Sequence, residues 1–115
     1  MADETTHLKL PYILANQAQK HVTHNEAIRL LDALVQMSVL SRTETDPPAS
    51  PGDGDRYIVA SGGTGAWTAW DLNVAYWVDG TWMKLVPRPG WLAWVEDDAE
   101  LVIWTGAAWA PVFAA

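Results

Sequence analysis

The chain has 115 residues, with fourteen acidic against seven basic side chains, eight tryptophans and no cysteine. A net charge of −7 repels a phosphate backbone and leaves no basic stripe to release counterions, which argues against nucleic acid as a partner. Without cysteine there are no disulfides or thiolate metal sites. No run of 18 apolar residues and no charged-then-apolar start occurs, so neither a membrane span nor a signal peptide is expected.

Residues 1–22 mix polar and apolar types around Pro11 and read as an extended arm, its one strand-like piece running from Leu8 to Leu14 and its junction lying at Gln17–His21. From Thr23 the apolar residues recur at three- and four-residue steps. Ala27, Leu30, Leu31 and Leu34, with Ile28, Val35 and Val39, predict an amphipathic helix over about 24–40 with these residues on its buried face. Thr23-His24-Asn25-Glu26 has the form of a capping box, in which Thr23 caps the amide of Glu26 and Glu26 reaches back. The stretch Ser41–Asp55 (SRTETDPPASPGDGD) gathers Pro, Gly, Ser and Asp and predicts a loop.

Beyond it the chain reads as short strands. RYIVA, residues 56–60, is β-rich and is followed by the flexible SGGTG. In AYWVDGTWMKLV, Asp79-Gly80 separates two aromatic arms, the pattern of a tight type I′ hairpin, which needs positive φ at both central residues. A second hairpin is predicted in LAWVEDDAELVIW with the acids at its tip, and a third turn at Thr105-Gly106. The expected fold is α+β: an extended N-terminal arm (1–22), then one domain (23–115). That domain comprises a helix (about 24–40), a loop (41–55) and a region of Trp-rich hairpins (56–113), the helix packing on a small, mainly antiparallel sheet.

A weak repeat links the hairpins. Tyr76–Trp82 (YWVDGTW) and Ile103–Trp109 (IWTGAAW) both place a glycine between two tryptophans. Trp67 and Trp70, like Trp91 and Trp94, are spaced by three; in extended chain such pairs point to opposite faces. Some indoles would then lie outside the core, at a rim or an interface. Tryptophan is well buried on average but seldom fully so, and exposed indoles serve protein interfaces and stack on sugar rings. Trp67, Trp70, Trp77, Trp82, Trp91, Trp104 and Trp109 are therefore the aromatic candidates for a protein partner or a glycan.

Signals for chemistry are weak. His21 and His24, with His7 or Glu26, lack the ligand number and spacing of a zinc site. The acids Glu96, Asp97, Asp98 and Glu100 have no marked partner for a glycosidase pair. The segment PGDGD lacks most ligands of a calcium loop and reads as a turn into the first strand. With no nucleophile–base pair or phosphate loop either, the chain is expected not to be an enzyme and to need no cofactor.

Taken in order, LPYILANQAQKHVTHNEAIRLLDALV, DPPASPGDGDRYIVA, GAW, AYWVDGTWMKLVPRPGW and IWTGAAW resemble a family of unknown-function domains found in alphaproteobacterial phages, prophages and gene transfer agents. The resemblance runs from about Leu8 to Trp109. Within that family the likeness is to the base of a gene transfer agent head spike, which implies a virion structural protein assembled in the bacterial cytoplasm and released by lysis. A chain this short has no room for a fibre shaft and tip, so it is expected to be an adaptor between the capsid protein and a spike or tail fibre protein. Such an adaptor is repeated as a ring of three or five copies. The arm and its junction would make the attachment through Leu8, Leu10, Tyr12, Ile13, Gln17, Gln19, Lys20, His21 and His24. The alternative is a carbohydrate-binding module that recognises capsular polysaccharide through exposed tryptophans.

Overall fold

The computed structural model describes residues 3–12 and 20–113, with only the backbone at 20–23. The fold is α+β, and the chain divides into two compact units, Met1–Val35 and Gln36–Ala115.

In the first unit residues 3–12 are not an open arm. They double back as a small hairpin, with Tyr12 N–H donating to the Asp3 carbonyl and Thr5 N–H to the Leu10 carbonyl, both at 2.9 Å, and a bridge between Glu4 and Pro11. Lys9 takes a left-handed φ of 58° at the turn. The turn at Lys9 interrupts the expected extended piece just after Leu8, and only the return limb through Pro11, which bridges Glu4, is strand-like. The hairpin is tied to helix α1 (Lys20–Leu34) through Asp32.

Helix α1 starts before the expected point and stops well short of it. Thr23 lies within its first turn, so it is not the N-cap, which must have non-helical backbone. At the far end Val35 N–H bonds the Leu31 carbonyl, and Gln36 takes φ 50°, the left-handed conformation that ends helices. Val39, expected on the helix, instead enters a sheet, where it is fully buried. The expected buried face is also largely reversed. Asn25, Asp32 and Ala33 are buried, while Ala27, Leu30, Leu31 and Val35 are exposed. Here hydrogen bonding to Asp32 decides which side is covered, and apolar spacing does not.

The described residues of the second unit form seven strands. They are β1 (Ser38–Val39), β2 (Arg56–Ile58), β3 (Val74–Val78), β4 (Thr81–Leu85), β5 (Leu92–Val95), β6 (Glu100–Trp104) and β7 (Trp109–Pro111). They form a three-stranded antiparallel sheet, β2-β3-β4, and a four-stranded sheet ordered β1-β5-β6-β7 in which only β1 runs parallel to its neighbour. The three predicted turns are all present. Asp79 and Gly80 have φ of 52° and 75°, both positive as a type I′ turn requires, and close β3 onto β4. Residues 96–99 turn β5 into β6, and Thr105 N–H donating to the Ala108 carbonyl turns β6 into β7.

Residues 37–45 are the seam between the sheets. On one side the amides of Trp94, Glu96 and Asp97 donate to the carbonyls of Met37, Val39 and Leu40. On the other, Leu40 N–H bonds the Arg56 carbonyl, and Ile58, Ala60 and Thr64 donate to Ser41, Glu44 and Thr45. The predicted loop thus begins as a backbone ladder. Ile58, Val74, Tyr76 and Val78 from one sheet, with Val39, Ala93, Val95 and Val102 from the other, are all almost fully buried. Each strand alternates, so these residues take one face of their sheet; on the other face of the three-stranded sheet Ala75 is buried against Trp67, while the four-stranded sheet exposes Leu92 and Trp94.

Candidate partner-binding surfaces

Two regions gather most of the candidate residues, and a third adds residues outside them. The first is the hub around Asp32. This side chain is fully buried and accepts hydrogen bonds from Thr5 Oγ1 (2.7 Å), His7 N–H (2.8 Å) and Leu8 N–H. Burial pushes its pKa up, but the bonds from Thr5, His7 and Leu8, with the charge of His7, outweigh burial and leave the carboxyl below the ordinary value of 3.8. Thr5 Oγ1 in turn accepts from Leu10 N–H at 2.9 Å. Tyr12 is held by Arg29, whose Nε donates to the phenol oxygen at 3.3 Å while the guanidinium sits 5.4 Å from the ring centre. Of the predicted arm contacts, Leu8 and His24 are exposed and Leu10 is half-buried. Ile13, Gln17 and Gln19 lie outside the described residues, as do the side chains of Lys20 and His21.

The second region is the aromatic face of β2-β3-β4. Trp67, in a short 3₁₀ turn (Gly65–Trp67), is fully buried against Val59 and Ala75, with Tyr57, Trp70 and Trp82 packed around it. Trp67 and Trp70 do not split to opposite faces, because this segment is not extended. The 3₁₀ turn ends at Trp67, and a second turn, in which Trp70 N–H donates to the Trp67 carbonyl at 3.0 Å and Ala69 takes φ 65°, brings both indoles to one cluster. The rings meet edge to face or tilted: Trp67 to Trp82 at 5.1 Å, Tyr57 to Trp67 at 5.4 Å and Trp77 to Trp82 at 5.1 Å. Gly63 is required here, since a Cβ would collide with the backbone oxygen of Trp67, and Asp71 accepts from the amides of Gly62 and Gly63 at 2.9 Å each. Those two bonds hold the Asp71 carboxyl below its ordinary value.

The sequence repeat has a structural meaning. Trp77 pairs with Trp82 across β3 and β4, and Trp104 with Trp109 across β6 and β7, the latter rings 5.3 Å apart. Each is a cross-strand pair flanking a two-residue turn. Trp109 is 6% exposed and donates from its indole nitrogen to the Leu72 carbonyl at 2.8 Å, pinning the four-stranded sheet to the segment before β3. Among the seven predicted tryptophans, Trp67 and Trp109 are therefore core residues, and Trp70, Trp77, Trp82, Trp91 and Trp104 are half-buried.

The third region was not foreseen. On the outer face of the four-stranded sheet, register aligns Ser38, Trp94 and Leu101 in one row and Leu92, Ile103 and Ala110 in the next. Val112 N–H bonds the Leu101 carbonyl and extends the first row. Leu92 is 49% exposed, Trp94 44% and Val112 40%. The signal lay in LVIW, which is apolar at every position and so furnishes both faces of β6. Trp94 is the indole left most open, and it was absent from the candidates.

The acidic turn is partly neutralised. Arg42 reaches Glu100 at 3.1 Å and Asp98 at 3.7 Å and donates to the Trp109 carbonyl at 3.2 Å, while Ser38 donates to Glu96 at 2.6 Å. PGDGD forms the expected turn, Gly52 N–H bonding the Asp55 carboxylate at 2.8 Å. Among the described residues no three His, Asp or Glu side chains converge as metal ligands, and no helix is long and apolar enough to cross a membrane.

A family model described as a protein of unknown function, DUF2793, matches residues 24–110, from early in α1 to β7. The chain belongs to the DUF2793 family. The match takes in both Trp hairpins and the seam between the sheets and leaves out the N-terminal hairpin. Comparison with curated proteins gives no match.

Proposed function

We propose that this DUF2793 protein is a virion structural adaptor, the base of a head spike that joins the capsid of a phage-like or gene transfer agent particle to a separate fibre and so supports attachment to the host cell. The observation that carries this reading is the division into two compact units, each with its own exposed apolar groups. An adaptor has to hold two neighbours at once. The first unit exposes Leu8, Leu30, Leu31 and Val35, and its hairpin takes the particle side. The β unit takes the fibre side through the half-buried indoles of its aromatic sheet and the free edge at β4, an edge strand able to accept a further strand. Copies repeat as a ring of three or five, and the assembled particle leaves the bacterium by lysis.

The glycan-binding alternative has weaker support from the geometry. The aromatic rings at β2-β3-β4 spend their faces and edges on one another, and beside Trp94 the Ser38 hydroxyl is already donated to Glu96. A sugar site needs polar groups that orient hydroxyls beside the stacking ring. Deleting residues 1–12 and imaging the particles by electron microscopy tests the adaptor assignment. Bare or sparsely spiked particles are expected, and full decoration would remove the hairpin from the attachment. In a titration of tryptophan fluorescence with capsule fragments, no response is expected at millimolar sugar; a saturable response would favour the alternative.

A further inference from the structure

We infer that the outer face of β1-β5-β6-β7 is a self-association surface, on which a second copy of this chain docks face to face with its strands antiparallel to those of the first. The inference is independent of the particle assignment and rests on three features of the β unit.

The first is the composition of the face. Ser38, Leu92, Trp94, Leu101, Ile103, Ala110 and Val112 share it by register, and none carries a charge. An antiparallel sheet with one wet face ordinarily alternates apolar and polar residues; this one is apolar on both. The second is the edge. Pro111 has no N–H to offer, and the Trp109 carbonyl is taken by Arg42, so β7 is a poor template for adding a strand. Association is directed to the face.

The third feature selects occupant and orientation. Each copy carries a net charge of −7, so charges close to a self-contact have to be matched. The two ends of the face differ in sign. At the β5–β6 tip Glu96 is bonded by Ser38 and Asp98 is paired with Arg42, which leaves exposed Asp97 as the acid facing a neighbour, and exposed Arg88 stands at the other end, in the turn closed by Trp91 N–H donating to the Arg88 carbonyl. Parallel stacking would set acids against acids. The antiparallel arrangement lays the acidic tip of each copy over Arg88 of the other, twice by symmetry, with Trp94 near the centre.

Strands of two, four, five and three residues side by side cover at most about 19 by 13 Å, less than the ~800 Å² per partner of a standard interface. The dimer is accordingly weak and concentration-dependent. An isologous contact closes at two copies, so it joins copies of the free chain, and a ring of three or five has to be built through other surfaces.

Sedimentation equilibrium of the full chain from about 10 µM to 1 mM tests this, with near-ultraviolet circular dichroism as the control for folding. A monomer–dimer equilibrium is expected, weakened at least tenfold by Trp94→Ser or Leu92→Ser, both at exposed positions. Arg88→Asp and Asp97→Arg are each expected to weaken it, and the double variant to recover most of the loss. A monomer throughout the range, or a dimer indifferent to Trp94→Ser, would overturn the self-association. Failure of the double variant to recover would overturn the antiparallel arrangement. Neither result bears on whether particles lacking the hairpin carry spikes, so the two proposals fail separately.

Discussion

Each unit has its own internal means of cohesion, and the two differ. The first is organised around one buried carboxylate, Asp32, which collects three donors from a hairpin 24 to 27 residues away in sequence. The second has turns with strict φ requirements and indoles packed ring on ring. A polar hub is specific but vulnerable, because removing its single acceptor leaves three donors unsatisfied at once. A packed aromatic cluster spreads its contribution over many contacts, so its loss is costly but its members are individually less decisive for topology.

The contrast can be broken from either side. The largest effect is expected for Trp67→Ala, which empties the centre of the aromatic cluster and should cost about 3 to 5 kcal/mol. Thermal denaturation checks it, and the amides of residues 3–12 should keep their native chemical shifts. Next is Asp32→Ala, expected to release the hairpin at a cost of roughly 2 to 3 kcal/mol. Hydrogen exchange should show lost protection at His7 and Leu8 while β3 and β6 stay protected. If Asp32→Ala melted the β unit too, the units would not be separate.

Gly80→Val comes third. A β-branched residue at φ 75° costs about 1 to 3 kcal/mol; since a Cβ there meets open space, any loss comes from backbone strain alone. An unchanged melting temperature would contradict the requirement for positive φ. Acid gives a gentler probe of the hub. The folded Asp32 carboxyl titrates below its ordinary value of 3.8, so its contribution is complete above that pH and is lost as pH falls through the folded pKa. The amide shifts of His7 and Leu8 followed by NMR should move together below pH 3.8, and Asp32→Asn should abolish that titration. Smallest is Lys9→Ala. Its pair with Glu4 spans 3.8 Å at the surface, and less than about 0.5 kcal/mol should change.

The parts legible in the sequence were those written locally. Asp79-Gly80, the acidic stretch before Glu100 and Thr105-Gly106 each specify a turn within a few residues, and all three hairpins follow. The Trp repeat also carried information, since equal spacing about a two-residue turn puts both pairs directly across a hairpin. What escaped depended on distant segments. The parallel pairing of Ser38–Val39 with β5 joins residues more than fifty apart, and nothing local marks it. The helix was misjudged at its end because apolar periodicity runs on through Val39, whereas the chain turns at Gln36, and at its start because the capping-box pattern of Thr23–Glu26 lies inside the helix. Its orientation was misjudged because Asp32, polar by type, is the residue that another segment covers. Trp94 was missed because it is exposed through the apolar character of both faces of its strands, which only the register reveals. Function was legible only through family likeness, since no spacing in the chain denotes a capsid or a fibre.

The adaptor assignment meets its most direct test in a cryo-electron reconstruction of the intact particle from a producing bacterium. Density for this chain is expected between the capsid and the spike, with the unit containing α1 toward the capsid and the β unit toward the fibre. A particle whose spike meets the capsid directly, with no density for this chain, would contradict it.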